Sequence, residues 1–170
     1  MMTIRVMITV ATQFGWQLHQ MDVKSAFLNG NLTEEVYMQQ PPGYEVKRQQ
    51  HLVYRLRKAL YELTQSHKVW YQKIDEYFRR NGYKKSSSDS NLYVKIRGAQ
   101  IELITLYVDD LIITRNDATM IAELKKDLKR SFEMLDLGLL HYCLGVQVWQ
   151  RLGQIFISQT KYTWGILNRF

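Results

Sequence analysis

The chain has 170 residues, of which 46% are hydrophobic and 23% charged, a composition typical of one folded domain. It argues against intrinsic disorder, and nine glycines with two prolines argue against a fibrous or linker-rich chain. No apolar run reaches the roughly 18 residues of a membrane span, and no signal-peptide pattern opens the sequence. One cysteine, Cys143, cannot form an internal disulfide. We therefore expect an intracellular protein without a membrane partner.

Basic charge is concentrated in the middle of the sequence. The chain carries 23 Lys and Arg against 16 Asp and Glu, a formal net charge of +7. Between Glu45 and Lys95 there are 12 basic and 5 acidic residues, whereas the remainder balances at 11 of each. Tyrosine, tryptophan and phenylalanine side chains are interleaved in the same segment. This pattern suits a polyanion such as nucleic acid. The alternative is a solvated basic helix face above core aromatics.

Hydrophobic spacing predicts alternating helices and strands in the first half of the chain. In order, the predicted elements are a helix over 3–14, strands over 16–23 and 52–56, and a helix over 66–82. Ser66 is placed to cap the second helix, and Gly82 to end it. Pro41, Pro42 and Gly43 mark a loop between the strands.

The second half is predicted to be richer in strands. The predicted elements are strands over 92–96, 101–107 and 111–114, a helix capped by Asp117, a hairpin of 144–148 with 154–157, and a helix from Ser158 to the end. The first two strands form a hairpin, and the second hairpin turns near Leu152 and Gly153. The sequence therefore predicts one α+β domain over 1–170 with mostly antiparallel strands.

Two adjacent acids, Asp109 and Asp110, interrupt an apolar stretch of this predicted sheet. Neighbouring carboxylates between buried strands repel each other and lose hydration, so something must compensate for their charge. A tight turn that reaches solvent is one solution. Bound divalent cations are the other, because Mg²⁺ prefers carboxylate oxygen and bridges to phosphate.

A third acid, Asp22, lies at the end of the strand predicted over 16–23. Taken alone, it indicates a strand-end or capping residue. Together with Asp109 and Asp110, it supplies three carboxylates from two strand ends. Such a set is what a two-metal phosphoryl-transfer site requires.

Several segments resemble the reverse transcriptase of copia-type LTR retrotransposons, an RNA-dependent DNA polymerase. They run in the family's order over essentially the whole chain: 20–30 (QMDVKSAFLNG), 34–44 (EEVYMQQPPGY), 60–71, 106–113 (LYVDDLII), 136–146 and 157–162. The resemblance implies a polymerase palm-type antiparallel sheet with packed helices, incomplete fingers and a truncated thumb. It implies template-directed addition of dNTPs to a primer 3′-hydroxyl on RNA or DNA.

The resemblance also implies roles for individual residues around the nucleotide. Asp22, Asp109 and Asp110, with the Val23 carbonyl, resemble the ligands of two Mg²⁺ ions, for which Mn²⁺ is a possible substitute. Phe27 is similar to the aromatic gate under the incoming sugar, whose bulk favours deoxynucleotides, and an ordinary core residue is the alternative. The nucleotide pocket is also expected to include Ala26 and Tyr61.

Other residues are expected to contact template and primer. By resemblance, Tyr107 and Val108 lie near the primer end, and Leu144 with Gly145 belongs to a hairpin that grips the primer backbone, unless that segment is only a packed strand. Basic residues of the central segment are candidates for phosphate contacts that do not read sequence: Arg55, Arg57, Lys58, Lys68, Lys73, Arg79 and Arg80.

One motif departs from the family pattern. Family members usually have glycine at the position of Glu62, lysine at Thr64, proline at His67 and arginine at Lys68. The glutamate adds bulk and negative charge near the nucleotide pocket, so nucleotide binding is the property that we expect these changes to affect.

The resemblance also implies parts that lie outside this chain: the remaining fingers, RNase H and integrase of a polyprotein found in a cytoplasmic particle or the nucleus. We therefore expect the fragment alone to be weakly active or inactive. One alternative is a non-enzymatic remnant that binds nucleic acid through its basic central segment. Another is an unrelated metal-dependent nuclease or cyclase.

Overall fold

The structure is a computed structural model that describes residues 2–49 and 51–169. The chain up to Lys24 and from Phe78 onward forms one compact unit, and Ser25–Tyr77 forms a second. The architecture is α+β with antiparallel strand pairs, as the sequence predicts. None of the described helices is long and apolar enough to cross a membrane.

Each predicted helix and strand has an observed counterpart close to its position. In chain order, the helices are Met2–Phe14 (α1), Ser66–Arg80 (α2), Ile121–Ser131 (α3) and Thr160–Leu167 (α4). The strands are Leu18–Val23 (β1), Tyr37–Gln39 (β2), Val53–Arg55 (β3), Lys84–Lys85 (β4), Leu92–Arg97 (β5), Gln100–Tyr107 (β6), Asp110–Arg115 (β7), Met134–Leu139 (β8), Tyr142–Cys143 (β9), Val146–Arg151 (β10) and Gln154–Ser158 (β11). Of these strands, β2, β4, β8 and β9 were not predicted.

A six-stranded sheet forms the centre of the first unit, in the order β4-β5-β6-β7-β1-β8. Successive side chains of a strand point to opposite faces, and β7 is apolar on both because Leu111, Ile112 and Ile113 are all buried. Ile112 belongs to a core cluster on one face, which includes Met7 and Ala11 of α1. Met7 and Ala11 are four residues apart, so they lie on one side of their helix.

A three-stranded sheet, β11-β10-β9, completes the first unit. Its β10–β11 turn lies at Leu152 and Gly153, as the sequence predicts. The strand predicted over 144–148 was partly wrong, since Leu144 and Gly145 form the turn between β9 and β10. Both have positive φ, at 48° and 81°. Two-residue hairpin turns of this kind require positive φ at both central residues.

The second unit contains a short sheet of β2 and β3, joined antiparallel. β2 has only three residues and precedes Pro41 and Pro42, so its pattern is too short to stand out from a loop. A close approach fixes Gly30 in this unit, because a Cβ there would lie 3.0 Å from the Cβ of Val69. A larger residue at this position would require Val69 and its neighbouring backbone to shift by a few tenths of an ångström.

Two predicted helix starts need correction. Ser66 is the first residue of α2, and its hydroxyl donates to the Leu60 carbonyl instead of capping the helix. Asp117 does cap the helical segment, because it accepts from the Thr119 amide, but the segment begins as a 3₁₀ turn, Ala118–Met120, that leads into α3. Ser158 ends β11, and α4 begins at Thr160. Short polar side chains also stabilise turns, so the residue type alone does not place a cap. The predicted end of the last helix, Phe170, lies outside the described residues.

Candidate active site

The three predicted aspartates lie at one end of the central sheet. Asp22 and Asp110 are direct cross-strand partners of β1 and β7. Asp109 occupies the two-residue turn between β6 and β7, where Tyr107 pairs with Asp110. The Asp109 carbonyl accepts a hydrogen bond from the Val23 amide at 2.9 Å, which ties this turn to the end of β1. Sequence reasoning thus brought together residues that are 87 positions apart.

The turn itself is strained. Val108, its first central residue, has φ of +58°, a conformation in which a β-branched residue is an outlier. Two-residue hairpins usually place glycine or asparagine where φ is positive. Such strain persists only where surrounding structure enforces it, and it is concentrated at functional sites. In this turn the Asp109 side chain remains exposed to solvent.

No cation of the described residues is paired with the negative charge at this end of the sheet. Burial raises the pKa of Asp22, and the neighbouring charges of Asp109 and Asp110 raise it further. Burial also raises the pKa of Asp110, opposed by a hydrogen bond from Gln20 Nε2 to its Oδ1 at 2.8 Å. Among the described residues, no Lys, Arg or His forms an ion pair with any of the three carboxylates.

The donor chemistry of this end fits a divalent cation. Three carboxylates supply hard oxygen ligands, and their unbalanced repulsion is what a cation would relieve. Within 2–49 and 51–169, however, no group of three or more His, Cys, Asp or Glu side chains is already arranged to hold a metal ion. The aspartate side chains would therefore have to converge around an ion. The Val23 carbonyl stays a predicted ligand.

Two neighbours of Asp110 were missed by the sequence analysis. Gln20 lies two residues before Asp22, hence on the same face of β1, and this spacing was a usable signal. Cys143 is buried, and burial raises the pKa of its thiol to about 11, with a further contribution from the charge of Asp110. The thiol therefore stays protonated at neutral pH and packs as a small apolar group. No local pattern pointed to this contact across 33 residues of chain.

The predicted nucleotide-pocket residues belong to the second unit. Ala26 and Phe27 are buried in a 3₁₀ turn, Ala26–Asn29. The Phe27 ring centroid lies 5.5 Å from that of Tyr61 and 4.8 Å from that of His67. Tyr61 is 77% exposed. The structure thus places Phe27 in an aromatic group together with a largely exposed ring, and both the gate and the core interpretations remain predictions.

Comparison with known proteins decides the family. The family described as reverse transcriptase (RNA-dependent DNA polymerase) matches residues 1–170. The chain belongs to the reverse transcriptase family. It is 39% identical, over its whole length, to the retrovirus-related Pol polyprotein from transposon TNT 1-94 of Nicotiana tabacum. It is also 39% identical over 98% of its length to that from transposon RE1 of Arabidopsis thaliana, and 30% identical over 84% to a putative transposon Ty5-1 protein of Saccharomyces cerevisiae.

These comparisons confirm the prediction of a partial copia-type reverse transcriptase domain. The chain spans 13% of the tobacco polyprotein and 11% of the Arabidopsis one, so most of each relative lies outside the matched region. No solved structure matches the chain.

The remaining predicted contacts of this reverse transcriptase chain are exposed, apart from the partly buried Leu144 and Gly145. Tyr107 is exposed at the end of β6, and Leu144 with Gly145 forms the β9–β10 turn. In the second unit, Lys58 and Lys73 are exposed. Arg55 is exposed too, and it forms an ion pair with Glu35 at 2.8 Å. Contact with template or primer stays a prediction for all of them.

Glu62 departs from the reverse transcriptase pattern at a position with glycine-like backbone. Its φ is +72°, in the left-handed region that costs a residue with a Cβ about 1 kcal/mol or more. The resemblance places glycine there in other family members. The departure therefore introduces strain into the second unit as well as a charge.

Replacing Glu62 by glycine should raise the free energy of unfolding by about 1 kcal/mol, measured by urea denaturation. Glu62→Ala is the matched control, because it removes the charge and keeps the Cβ. An equal gain from Glu62→Ala would mean that charge, not backbone conformation, is responsible.

Proposed function

We propose that this chain is the palm-centred catalytic part of an RNA-directed DNA polymerase from a copia-type retrotransposon. The reaction is the addition of dNTPs to a primer 3′-hydroxyl on an RNA or DNA template. The observation that carries the proposal is the pairing of Asp22 with Asp110, with Asp109 in the adjoining turn. Family membership makes this arrangement meaningful, since an isolated group of acids is common.

In this proposal the aspartates and the Val23 carbonyl hold two Mg²⁺ ions, with Mn²⁺ as a possible substitute. When bound, the metal supplies a lowered pKa for an attacking hydroxyl and charge neutralisation for the leaving pyrophosphate. Gln20 orients the Asp110 carboxylate through its 2.8 Å hydrogen bond. The strained turn at Val108 presents Asp109 to solvent, where a primer end or triphosphate can reach it.

The proposed partners follow from the same reaction. A primed template contacts Tyr107, Val108, Leu144 and Gly145, and dNTPs are selected by the bulk of Phe27. The rest of the polymerase fingers, an RNase H and an integrase belong to the polyprotein in which the chain would act. Because the chain spans 13% of one such relative, we expect weak or no primer extension from the chain alone.

The test places the chain in a complete polymerase. The corresponding segment of the tobacco Pol polyprotein is replaced by this chain, and dNTP incorporation is measured on a primed RNA template. We expect extension by the chimera, reduced at least about 10³-fold by Asp109→Asn, since the metal site supplies several kcal/mol of transition-state stabilisation. A folded chimera without extension, even when Glu62→Gly is included, would contradict the proposal and favour a non-enzymatic remnant.

A further inference from the structure

Helix α3 separates its charges between two flanks. Its acids, Glu123 and Asp127, line a cavity of about 140 Å³ on one side. On the other side, an open groove of about 610 Å³ is lined by Lys125, Lys126, Lys129 and Arg130. Over α3 the four basic and two acidic residues give a net charge of only +2, so counting charge by segments did not single out a cationic surface. We call this surface the α3 groove.

Among the described residues that line the α3 groove, Asp136 is the one acid, and its carboxylate already has hydrogen-bond partners. Its Oδ1 accepts from Lys125 Nζ at 2.6 Å and from the Gly138 amide at 3.0 Å. Lys125 is buried and also lies 3.1 Å from His19 Nδ1. Burial and the Lys125 charge lower the pKa of His19, so this imidazole is neutral at pH 7. Lys125 therefore serves as an internal partner, not as a free cation.

The other three cations remain available. Among the described residues, Lys126 and Lys129 have no ion-pair partner, and both are exposed. Arg130 contacts Asp127 at 3.2 Å, with both side chains more than half exposed. Exposed pairs of this kind contribute little and are readily exchanged. The groove therefore presents about three exchangeable positive charges along one turn of helix, a length of roughly 6 Å.

The α3 groove is on the opposite face of the sheet from the aspartates. His19 lines the groove and lies three residues before Asp22 on β1. An odd separation in a strand places two side chains on opposite faces. A ligand in the groove would therefore be separated from the aspartate site by the sheet itself.

The lining selects the kind of ligand. No Phe, Tyr or Trp is among the described residues that line the groove. Its one aromatic ring, the imidazole of His19, is partly buried and lies 3.1 Å from Lys125 Nζ, so the groove lacks the exposed aromatic rings on which a single strand usually stacks. Cations without stacking partners contact phosphates and do not read sequence.

We propose that Lys126, Lys129 and Arg130 bind the phosphate backbone of a nucleic acid duplex, independently of sequence, at a second surface behind the aspartate site. The choice of a polynucleotide over another polyanion rests on the proposed function. Binding itself needs neither metal nor a primer end, so it can fail or succeed separately from polymerisation.

The test uses the full chain and a fluorescent 20-base-pair DNA duplex with blocked 3′ ends, without divalent ions. Anisotropy is recorded over a salt series for wild type and Lys126→Gln/Lys129→Gln. Removing two phosphate contacts should reduce the slope of log K against log salt by about 1.8 and weaken binding at least about tenfold at 0.1 M salt. Arg151→Gln/Lys161→Gln removes the same charge elsewhere in the unit and should leave binding within about threefold.

Several outcomes would overturn the proposal. They are no binding by wild type at low salt, unchanged binding after Lys126→Gln/Lys129→Gln, or equal losses in both double variants, which would indicate net charge alone. Displacement of the duplex by polyglutamate at equal charge concentration would indicate an acidic-peptide site instead. The duplex has blocked 3′ ends and the buffer holds no divalent ion, so this result does not depend on whether the polymerase proposal holds.

Discussion

Replacing Asp110 by asparagine should stabilise the chain while abolishing primer extension in the chimera. Asp110 is partly buried opposite Asp22 and beside Asp109, and no cation offsets its charge among the described residues. Asparagine removes the repulsion and keeps the Oδ1 that accepts from Gln20. We expect a gain of about 0.5–1 kcal/mol in the free energy of unfolding at pH 7, together with an activity loss of at least about 10³-fold.

The stability difference between Asp110→Asn and wild type should depend on pH in a definite direction. The pKa of Asp110 is raised in the folded chain from its usual 3.8, so the folded state binds the proton more readily than the unfolded state. Wild type therefore gains stability as pH falls through the raised pKa towards 3.8. The advantage of Asp110→Asn should be largest near pH 7 and vanish below about pH 3.8.

Urea denaturation at a series of pH values measures the free energy of unfolding of wild type and of Asp110→Asn. Asp127→Asn is the matched control, because it removes an exposed acid of α3 whose charge is attracted to Arg130 and Lys95, so it should not stabilise the fold. A destabilised Asp110→Asn at pH 7 would mean that the carboxylate makes a net favourable interaction in the folded chain.

Glu102→Ala, in contrast, should lower the free energy of unfolding by about 3–5 kcal/mol. Glu102 and Arg115 are cross-strand partners of β6 and β7. Their side chains are 5% and 9% exposed, and Arg115 NH1 lies 2.8 Å from Glu102 Oε2. Removing the carboxylate leaves a guanidinium buried without its counter-charge, which is far less favourable than losing both charges together.

The surroundings of this pair support a double replacement as the control. Among the described residues, the buried side-chain polar atoms without a hydrogen-bond partner are Tyr83 OH, Glu102 Oε1 and Arg115 Nε. All three residues line the cavity of about 140 Å³, which has room for ordered water. Glu102→Leu/Arg115→Met removes both charges and should recover at least half of the lost stability.

Urea unfolding of the single and double variants compares the loss of one charge of the pair with the loss of both. If Glu102→Ala leaves no folded baseline, Glu102→Gln provides a milder neutral replacement with the same shape. A loss below about 1 kcal/mol in the single variant would show that water penetrates to Arg115 and screens the pair.

The strands that carry the aspartates were predictable, and β8 was not. Mostly apolar residues stand on both sides of Asp109 and Asp110, and this pattern predicts two buried strands joined by a turn. β8 carries Asp136 and Gly138, and its pairing with β1 shifts register between Gln20 and Met21. A bulge of this kind breaks the two-residue alternation from which strands are read.

Side chains whose partners are distant in sequence were also missed. Lys125 reads as a surface lysine, yet its ammonium is buried between His19 and Asp136. The α3 groove was missed for a related reason, because a count of charged residues along the sequence averages over the two flanks of a helix. Applying the 3.6-residue period to charge, as is usual for apolar residues, would have revealed it.

The central claim is that Asp22, Asp109 and Asp110 act together as one cation site. Its most direct test is titration of the purified chain with Mn²⁺, following the free-ion signal by electron paramagnetic resonance. We predict saturable binding by wild type that Mg²⁺ displaces, and that Asp22→Asn and Asp110→Asn each weaken at least about tenfold. Binding that is unchanged by both substitutions, or no binding by wild type at millimolar Mn²⁺, would contradict the claim.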